Sequence, residues 1–369
     1  MDTDCPALIA ERIRQRGPIT AAEFLDLALY APGAGYYARA AQRSGRTGDF
    51  YTSVDVGPLF GTLLAIQFAA LWVTLGSEGR GPDRVDLVEV GAGNGRLSLD
   101  VLDAAARRHP DFYRAIVLQL VERGAAAREA QAATLAAHPD RLAASRLDLP
   151  AACSGIIFAN ELLDAFPVHV VEMRESGLAE VYVGLDGGTF VERFGPPSTP
   201  RLAAYLAEAG VTLDRGCRAE INLAAIDWIA DAARRLDRGF ILLVDYGYEA
   251  AELYSPAHRQ GTLATFHRHL LDAAPGSGPA APPWLVEPGS RDLTSHVDWS
   301  SIRRAAGRNG LDIISFSDQT RFLLDLLEQD SLVGELAAPE RLTDRLALKT
   351  LLMPGGIGST HSVLLLAKR

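Results

Sequence analysis

The chain has 369 residues, of which 48% are hydrophobic and 22% are charged, and its formal net charge is −10 at pH 7. This composition is typical of a soluble globular protein, and the length exceeds that of one minimal domain. The acidic balance argues against a protein that binds nucleic acid through a basic surface.

The N-terminal part of the sequence predicts helices and one turn-rich stretch. Helical patterns occur at residues 7–16 and 21–29, and turn residues dominate 32–57. A long helix is predicted over 58–75, because proline suits the first position of a helix. We therefore expect residues 1–82 to form a helical cap on a larger domain.

From residue 85 onward, short apolar runs alternate with helical patterns. The predicted strands lie at 85–90, 115–122, 142–147, 154–160, 239–247, 311–317 and 360–368, and the predicted helices at 96–108, 125–137 and 219–236. A β-hairpin that turns near residues 176–177 interrupts this series. Apolar strands alternating with helices are typical of an α/β fold with a doubly wound, mostly parallel sheet.

The larger domain, residues 83–369, is expected to carry insertions near 167–200 and 250–297. Within the second insertion, residues 272–291 are rich in proline, glycine and alanine. Such a composition predicts an exposed and mobile loop.

A glycine turn directly after the strand 85–90 carries the first chemical signal. Gly91, Gly93 and Gly95 let the chain turn sharply and bring bare backbone against a nucleotide-like ligand. A dinucleotide-binding turn needs a third small residue where this chain has Arg96. The GxGxG spacing, with Glu89 two residues before it, instead indicates binding of S-adenosylmethionine (SAM). A plain tight turn between strand and helix is the alternative.

Acidic residues after the next two strands support a cofactor site. Glu122 ends the second strand, where a carboxylate can accept hydrogen bonds from both ribose hydroxyls of a nucleotide. Asp148 follows the third strand, where methyltransferases often bind the adenine amino group. The alternatives are a solvated acid at a strand end for Glu122 and a turn residue for Asp148.

Six segments in one order resemble the MidA / NDUFAF7 family of SAM-dependent methyltransferases: GDFYTSVDVGPLFG, VEVGAGNGRLSLDVL, FANELLDAFPVH, VDYGY, GTLATFHRH and DLTSHVDW. The resemblance extends over residues 27–319. It implies a Rossmann-like class I methyltransferase fold with an N-terminal helical cap and insertions. Mitochondrial members are protein arginine methyltransferases that modify a subunit of respiratory complex I and help it assemble.

The resemblance also implies further residues beside the cofactor. It places Gly48, Asp49 and Thr52 there, closing the site from the N-terminal side, and adds Asn160 at the end of the fourth strand. Tyr36 and Tyr37 belong to the same N-terminal patch. We expect these two tyrosines to be packing residues.

Glu161 and Asp164 are the predicted catalytic residues. They follow the fourth strand, so they lie at the edge of the sheet where ligands bind. Two carboxylates three residues apart at a predicted helix start share one face and can bind a planar guanidinium through paired hydrogen bonds. The alternative is that both acids serve only to begin the helix.

Three functions follow from these residues. The first is a SAM-dependent methyltransferase that modifies an arginine of a protein partner. The second is a methyltransferase of a small molecule, shaped by segments 275–287 and 353–360, which depart from the family pattern. The third is a non-catalytic assembly chaperone, although intact Glu89, Gly91, Gly93 and Glu122 argue against lost SAM binding. The sequence leaves the oligomeric state and the number of transferred methyl groups open.

Other residue types exclude further classes of site. The three cysteines are far apart and form no CxxC pair, which argues against a disulfide scaffold and a cysteine zinc site. His267, His269 and His296 lack metal-binding spacing, so each is either structural or a base near the acceptor. We expect neither a signal peptide nor a membrane span, and hence a cytoplasmic protein.

Overall fold

The strands and helices come from a computed structural model that describes residues 4–38, 52–267, 270–271, 282–329, 332–338, 341–353 and 357–369. The described strands are β1 (Ile19–Thr20), β2 (Val85–Val90), β3 (Ile116–Val121), β4 (Leu142–Arg146), β5 (Cys153–Asn160), β6 (His169–Arg174), β7 (Gly177–Asp186), β8 (Thr189–Gly195), β9 (Arg218–Ile221), β10 (Leu236–Tyr248), β11 (Ala264–His267), β12 (Leu270–Leu271), β13 (Asp292–Thr294), β14 (Val297–Asp298), β15 (Asp312–Asp318) and β16 (His361–Lys368).

The described α-helices connect these strands and cover the sheets. They are α1 (Cys5–Arg16), α2 (Ala21–Tyr30), α3 (Leu59–Thr74), α4 (Arg96–Arg108), α5 (Pro110–Ala115), α6 (Ala125–Thr134), α7 (Arg201–Glu208), α8 (Leu223–Arg235), α9 (Ala250–Leu253), α10 (Trp299–Arg308), α11 (Gln319–Gln329), α12 (Leu332–Leu336), α13 (Leu342–Leu352) and α14 (Ile357–Thr360).

The main sheet has the strand order β15-β16-β10-β5-β2-β3-β4, and β14 pairs with the end of β10. All strands of this order run parallel except β16, which is antiparallel to both neighbours. Helices α3, α4, α11 and α13 pack on one face, and α8 and α10 pack on the other. Both faces are covered, which is why the central strands are nearly continuous apolar runs. The predicted fold class is confirmed.

An antiparallel sheet, built from β1, β6, β7, β8 and β9, lies beside the main sheet. The predicted hairpin is its centre, formed by β6 and β7. Helices α1 and α2 pack on this sheet, for example through Phe24, which is fully buried with Val170 and Val181 in one cluster. The N-terminal helices and the first insertion therefore share a core.

The predicted helix over 219–236 is wrong in its first part. Residues Arg218–Ile221 form β9, in which Ala219 and Ile221 pair with β6. Asn222 then begins α8, since its side chain accepts a hydrogen bond from the backbone N–H of Ala225 at 2.8 Å. An N-cap of this kind excludes the preceding residues from the helix.

The prediction that 272–291 is an exposed loop is wrong for part of the residues that can be compared: Val286 and Glu287 are exposed, whereas residues 284, 285, 288 and 289 are buried. Residues 272–281 lie outside the described part of the chain. Trp284 and Leu285 are buried, and the Trp284 ring meets the edge of Phe24 with 5.3 Å between centroids. This segment therefore packs against the N-terminal helices.

Helix α3 is apolar around most of its surface because it is buried in the core of the main sheet, where Phe68 meets Phe158 of β5. Within the described residues, no helix combines the length and apolar character that crossing a membrane requires.

Gly61 lets α3 approach α4 closely, since a Cβ at this position would lie 2.4 Å from Cβ of Asp100. The division of the chain at residue 82 stays a prediction.

Two helical glycines should respond to alanine in opposite directions. Gly61→Ala forces α3 and α4 apart and should lower the free energy of unfolding by about 1–3 kcal/mol. In Gly307→Ala, the added Cβ in α10 meets no atom within 4 Å. The better helix propensity of alanine should therefore raise the free energy of unfolding by about 0.5–1 kcal/mol. Urea denaturation of both variants measures the difference, and equal signs would contradict the close approach of α3 and α4.

Candidate active site

A cleft of about 1030 Å³ opens where the parallel strands β2, β3, β5 and β10 end. Its volume reaches the upper limit of pockets that hold one small ligand, so it has room for a cofactor and an acceptor group. The described residues that the sequence predicted for the site all line it: Thr52, Glu89, Gly91, Gly93, Glu122, Asp148, Asn160, Glu161 and Asp164. Gly48 and Asp49 lie outside the described residues. The individual roles of these residues stay predictions.

The glycine turn has a backbone that other residue types rarely adopt. Gly91 and Gly93 have φ angles of 71° and 51°, in the left-handed region that glycine enters without strain. Both backbone polar groups of Gly93 are held by side chains. Its N–H donates to Oε2 of Glu122 at 2.9 Å, and its C=O accepts from Nε2 of Gln131 at 2.8 Å. The turn is therefore fixed by side chains and not by its own sequence alone.

Glu122 connects this turn to the end of β3. Its second oxygen, Oε1, accepts the backbone N–H of Gly124 at 2.6 Å. A carboxylate offers about four acceptor positions, so two protein hydrogen bonds leave capacity for ligand hydroxyls. Glu122 therefore has the orientation and the remaining acceptor capacity that the predicted ribose contact needs.

Glu89 lies behind the turn and is 4% exposed. Burial raises the pKa of its carboxyl to about 8, although the hydroxyl of Ser98 donates a hydrogen bond to Oε2 and opposes the shift. Glu89 is therefore largely protonated at neutral pH. A positively charged ligand group in the cleft would favour its ionised form.

The segment that carries Glu161 and Asp164 is an irregular loop, so the predicted helix start is wrong. The backbone N–H groups of Leu162 and Leu163 donate to Oδ2 of Asp245 at 3.0 and 2.8 Å. These bonds replace the hydrogen bonds of a helical turn, and they fold the loop around the end of β10. Glu161 has φ 49°, a left-handed value that is uncommon for a residue with a side chain.

Asp164 is buried, and its two oxygens differ. Oδ2 accepts a hydrogen bond from the hydroxyl of Tyr246 at 2.6 Å, whereas Oδ1 has no hydrogen-bond partner among the described residues. Burial and the neighbouring carboxylate of Asp245 raise the pKa of Asp164 well above its usual value. A positively charged group bound beside Asp164 would favour its ionised form.

Several residues that line the cleft were not assigned to the site from the sequence. Tyr246 and His361 lie beside the two carboxylates, and Tyr37, expected to be a packing residue, donates a hydrogen bond to Asp292 at 2.8 Å. Tyr36 is fully buried, as expected. His361 could have been found from topology, because an antiparallel last strand begins at the edge where parallel strands end.

Of the three histidines considered from the sequence, His296 is the one whose side chain the structure describes. The ring of His296 packs against Tyr246 and Tyr248, and burial lowers the pKa of its imidazole to about 4. The imidazole of His296 is therefore neutral at pH 7, and its role stays open between a structural residue and a base. The side chain of His267 and all of His269 lie outside the described part of the chain.

A family model of S-adenosyl-L-methionine-dependent methyltransferases matches residues 63–317. The chain belongs to this family. The methyltransferase is 31% identical over 324 residues to the mitochondrial protein arginine methyltransferase NDUFAF7 of Mus musculus, a match that covers 80% of this chain and 68% of the relative. The corresponding protein of Drosophila melanogaster is 30% identical over 329 residues, with 81% and 69% covered.

A solved structure is similar over nearly its whole length. It is a COG1565 superfamily member from Burkholderia thailandensis bound to S-adenosyl-homocysteine, with 30% identity and a TM-score of 0.83. The match covers 99% of this chain and 92% of that chain. The predicted family, the predicted enzyme class and SAM as the methyl donor are confirmed.

Glu122→Gln should weaken the binding of S-adenosyl-homocysteine at least tenfold, because the amide donates where a ligand hydroxyl needs an acceptor and also loses the charge. Isothermal titration calorimetry measures the affinity. Glu129→Gln on the exposed face of α6 is the matched control, with an expected change below twofold. Unchanged affinity in the Glu122 variant would show that Glu122 only supports the turn.

Proposed function

We propose that this methyltransferase modifies an arginine side chain of a protein, and that Glu161 and Asp164 bind the guanidinium. One observation carries the proposal. The two carboxylates lie beside the glycine turn, and among the described residues no arginine or lysine forms an ion pair with either of them. The names of the curated relatives, protein arginine methyltransferases, support the same acceptor.

The basic residues of the cleft are engaged elsewhere. Nη1 of Arg96 lies 2.8 Å from Oδ1 of Asp55. The guanidinium of Arg123 stacks 4.2 Å from the centre of the Tyr30 ring and lies 3.2 Å from Asp26. Neither residue therefore neutralises the carboxylates, and a cationic acceptor is the natural partner for them.

When bound, SAM supplies a methyl group on a positively charged sulfur. The two carboxylates orient the guanidinium so that one nitrogen faces this methyl group, and the alignment of the reacting atoms is the main task of the protein. A guanidinium is cationic at ordinary pH. Transfer would form a bond from this nitrogen to the methyl carbon as the carbon–sulfur bond of SAM breaks. The proton of the nitrogen would have to pass to a base, and the raised pKa of Asp164 suits that carboxylate to accept it.

The cofactor residues follow the sequence prediction. We propose that Gly91 and Gly93 contact SAM through their backbone and Glu122 through its carboxylate, with the remaining contacts supplied by Gly48, Asp49, Thr52, Glu89, Asp148 and Asn160. Asn160 supports this assignment, because its Oδ1 is buried without a hydrogen-bond partner among the described residues. A respiratory complex I subunit as the acceptor and a cytoplasmic location stay predictions.

Glu161→Gln and Asp164→Asn should each lower methyl transfer at least 100-fold, because a neutral amide cannot hold a guanidinium or take its proton. The affinity for S-adenosyl-homocysteine should stay within about twofold. Transfer is measured with methyl-labelled SAM and arginine-rich peptides, followed by acid hydrolysis and identification of methylarginine. Asp231→Asn, at the edge of the same cleft, is the control and should keep full activity.

Two outcomes would contradict the proposal. A collapse of cofactor affinity in the two variants would place Glu161 and Asp164 in the cofactor site. Label found in small metabolites of a cell lysate, with none in methylarginine, would favour the small-molecule methyltransferase.

The pH dependence follows from the raised pKa of Asp164. The ionised carboxylate binds the cationic acceptor, so kcat/KM for an arginine peptide should rise with pH. The midpoint of this rise should lie well above pH 4, where an ordinary aspartate titrates. Saturating SAM removes any contribution of Glu89 to cofactor binding, and the guanidinium does not titrate in this range. A profile that is flat from pH 5 to 9 would contradict the role of a buried carboxylate.

A further inference from the structure

A cross-strand pair, Tyr246 on β10 and His361 on β16, lies directly behind the two acceptor carboxylates. The antiparallel register of these strands places Tyr246 opposite His361, and their ring centroids are 5.5 Å apart. Both side chains line the cleft. Neither belongs to the residues assigned so far to the cofactor or the acceptor.

Tyr246 holds one oxygen of Asp164. Its hydroxyl donates to Oδ2 at 2.6 Å. Burial and the adjacent Asp164 raise the pKa of the Tyr246 phenol well above its usual value, so it stays a hydrogen-bond donor at neutral pH. The other oxygen, Oδ1, is buried and has no hydrogen-bond partner among the described residues, so its hydrogen-bonding capacity is unused.

His361 lies close to the other carboxylate. Its Nε2 is 3.5 Å from Oε1 of Glu161, within ion-pair distance for a protonated imidazole but without hydrogen-bond geometry, and both side chains are largely buried. Asn160 donates a hydrogen bond from Nδ2 to the same oxygen at 3.2 Å. Glu161 also has the left-handed backbone described above, and a strained conformation of this kind persists only where its surroundings hold it.

We propose that the Tyr246–His361 pair positions the acceptor carboxylates, Tyr246 through Oδ2 of Asp164 and His361 through Oε1 of Glu161. The inference rests on the acceptor role proposed above for those carboxylates. By fixing one oxygen of each carboxylate, the pair sets the plane in which the other oxygens meet a planar guanidinium. Tyr246 and His361 act through the carboxylates, and so they are positioning residues.

The location of His361 also connects the pair to acceptor selection. The segment 353–360, where the sequence departs from the family pattern, leads directly into this histidine. Oγ1 of Thr360, the last residue of this segment, lies 3.1 Å from Nδ1 of His361. Thr360 therefore contacts the histidine that lies against Glu161.

The test compares substitutions of Tyr246 and His361 that keep an aromatic ring with a substitution of His361 that keeps a hydrogen-bond donor. Tyr246→Phe and His361→Phe remove the polar group and preserve the packing, whereas His361→Gln keeps an N–H donor on a side chain of similar reach. Tyr248→Phe, two residues further along β10 with its ring against His258 and His296, is the matched control. Each full-length variant is measured for melting temperature, affinity for S-adenosyl-homocysteine, and transfer from methyl-labelled SAM.

Tyr246→Phe and His361→Phe should each lower kcat at least tenfold, because the first removes a hydrogen bond to Asp164 and the second removes a close electrostatic contact with Glu161. Cofactor affinity should stay within twofold and the melting temperature within a few degrees. His361→Gln should recover to within about threefold of the unmodified protein, and Tyr248→Phe should not change. The double variant of His361→Phe with Glu161→Gln should be no slower than Glu161→Gln alone.

Full activity in His361→Phe, or equal losses in His361→Phe and His361→Gln, would overturn the inference. So would a rate loss that matches a loss of cofactor affinity, or an additive double variant. If His361→Phe does not fold, His361→Leu takes its place in the same comparison. The total label that each variant transfers to the components of a cell lysate tests the positioning role, whatever the acceptor is. The yield of methylarginine tests the proposed function. The failure of one proposal can therefore be distinguished from the failure of the other.

Discussion

Asp245 is the residue on which the geometry of the acceptor site depends. Its carboxylate, buried at the end of β10, accepts backbone N–H groups from the loop after β5 and from Tyr246. The same loop is anchored further by the side-chain amide of Asn222, which donates to the carbonyl of Leu163 at 2.9 Å. Because two strands that are distant in sequence meet at this carboxylate, the loop that carries Glu161 and Asp164 needs no helix to be ordered.

The site gathers acidic groups that water no longer solvates. Burial raises the pKa values of Glu89, Asp164 and Asp245, and this cost of desolvation is partly offset by backbone and hydroxyl donors. The sulfonium of SAM and the guanidinium of an acceptor are both cations. A cation bound in the cleft would favour the ionised form of these acids, so the cleft is complementary to both partners of the proposed reaction.

The sequence predicted those parts of the site that depend on local pattern. Strand β2, the glycine turn and α4 were predicted to the residue, since an apolar run, three glycines and a helical period follow one another directly. The strand-end rule then located Glu122 and Glu161. Local pattern could not place His361, which lies 200 residues after Glu161 and meets it only through the order of the sheet. It also misjudged Arg218–Ile221 and Trp284, because pairing with β6 and packing against Phe24 are tertiary interactions.

The doubly held Gly93 peptide has a thermodynamic consequence. A loop that becomes ordered only when its ligand arrives loses conformational entropy at that moment, and this loss subtracts from the affinity. Here Glu122 and Gln131 have already fixed the turn during folding. A cofactor that binds at this turn, as proposed above, would meet a preorganised surface, and less of its interaction energy would be lost to ordering the protein.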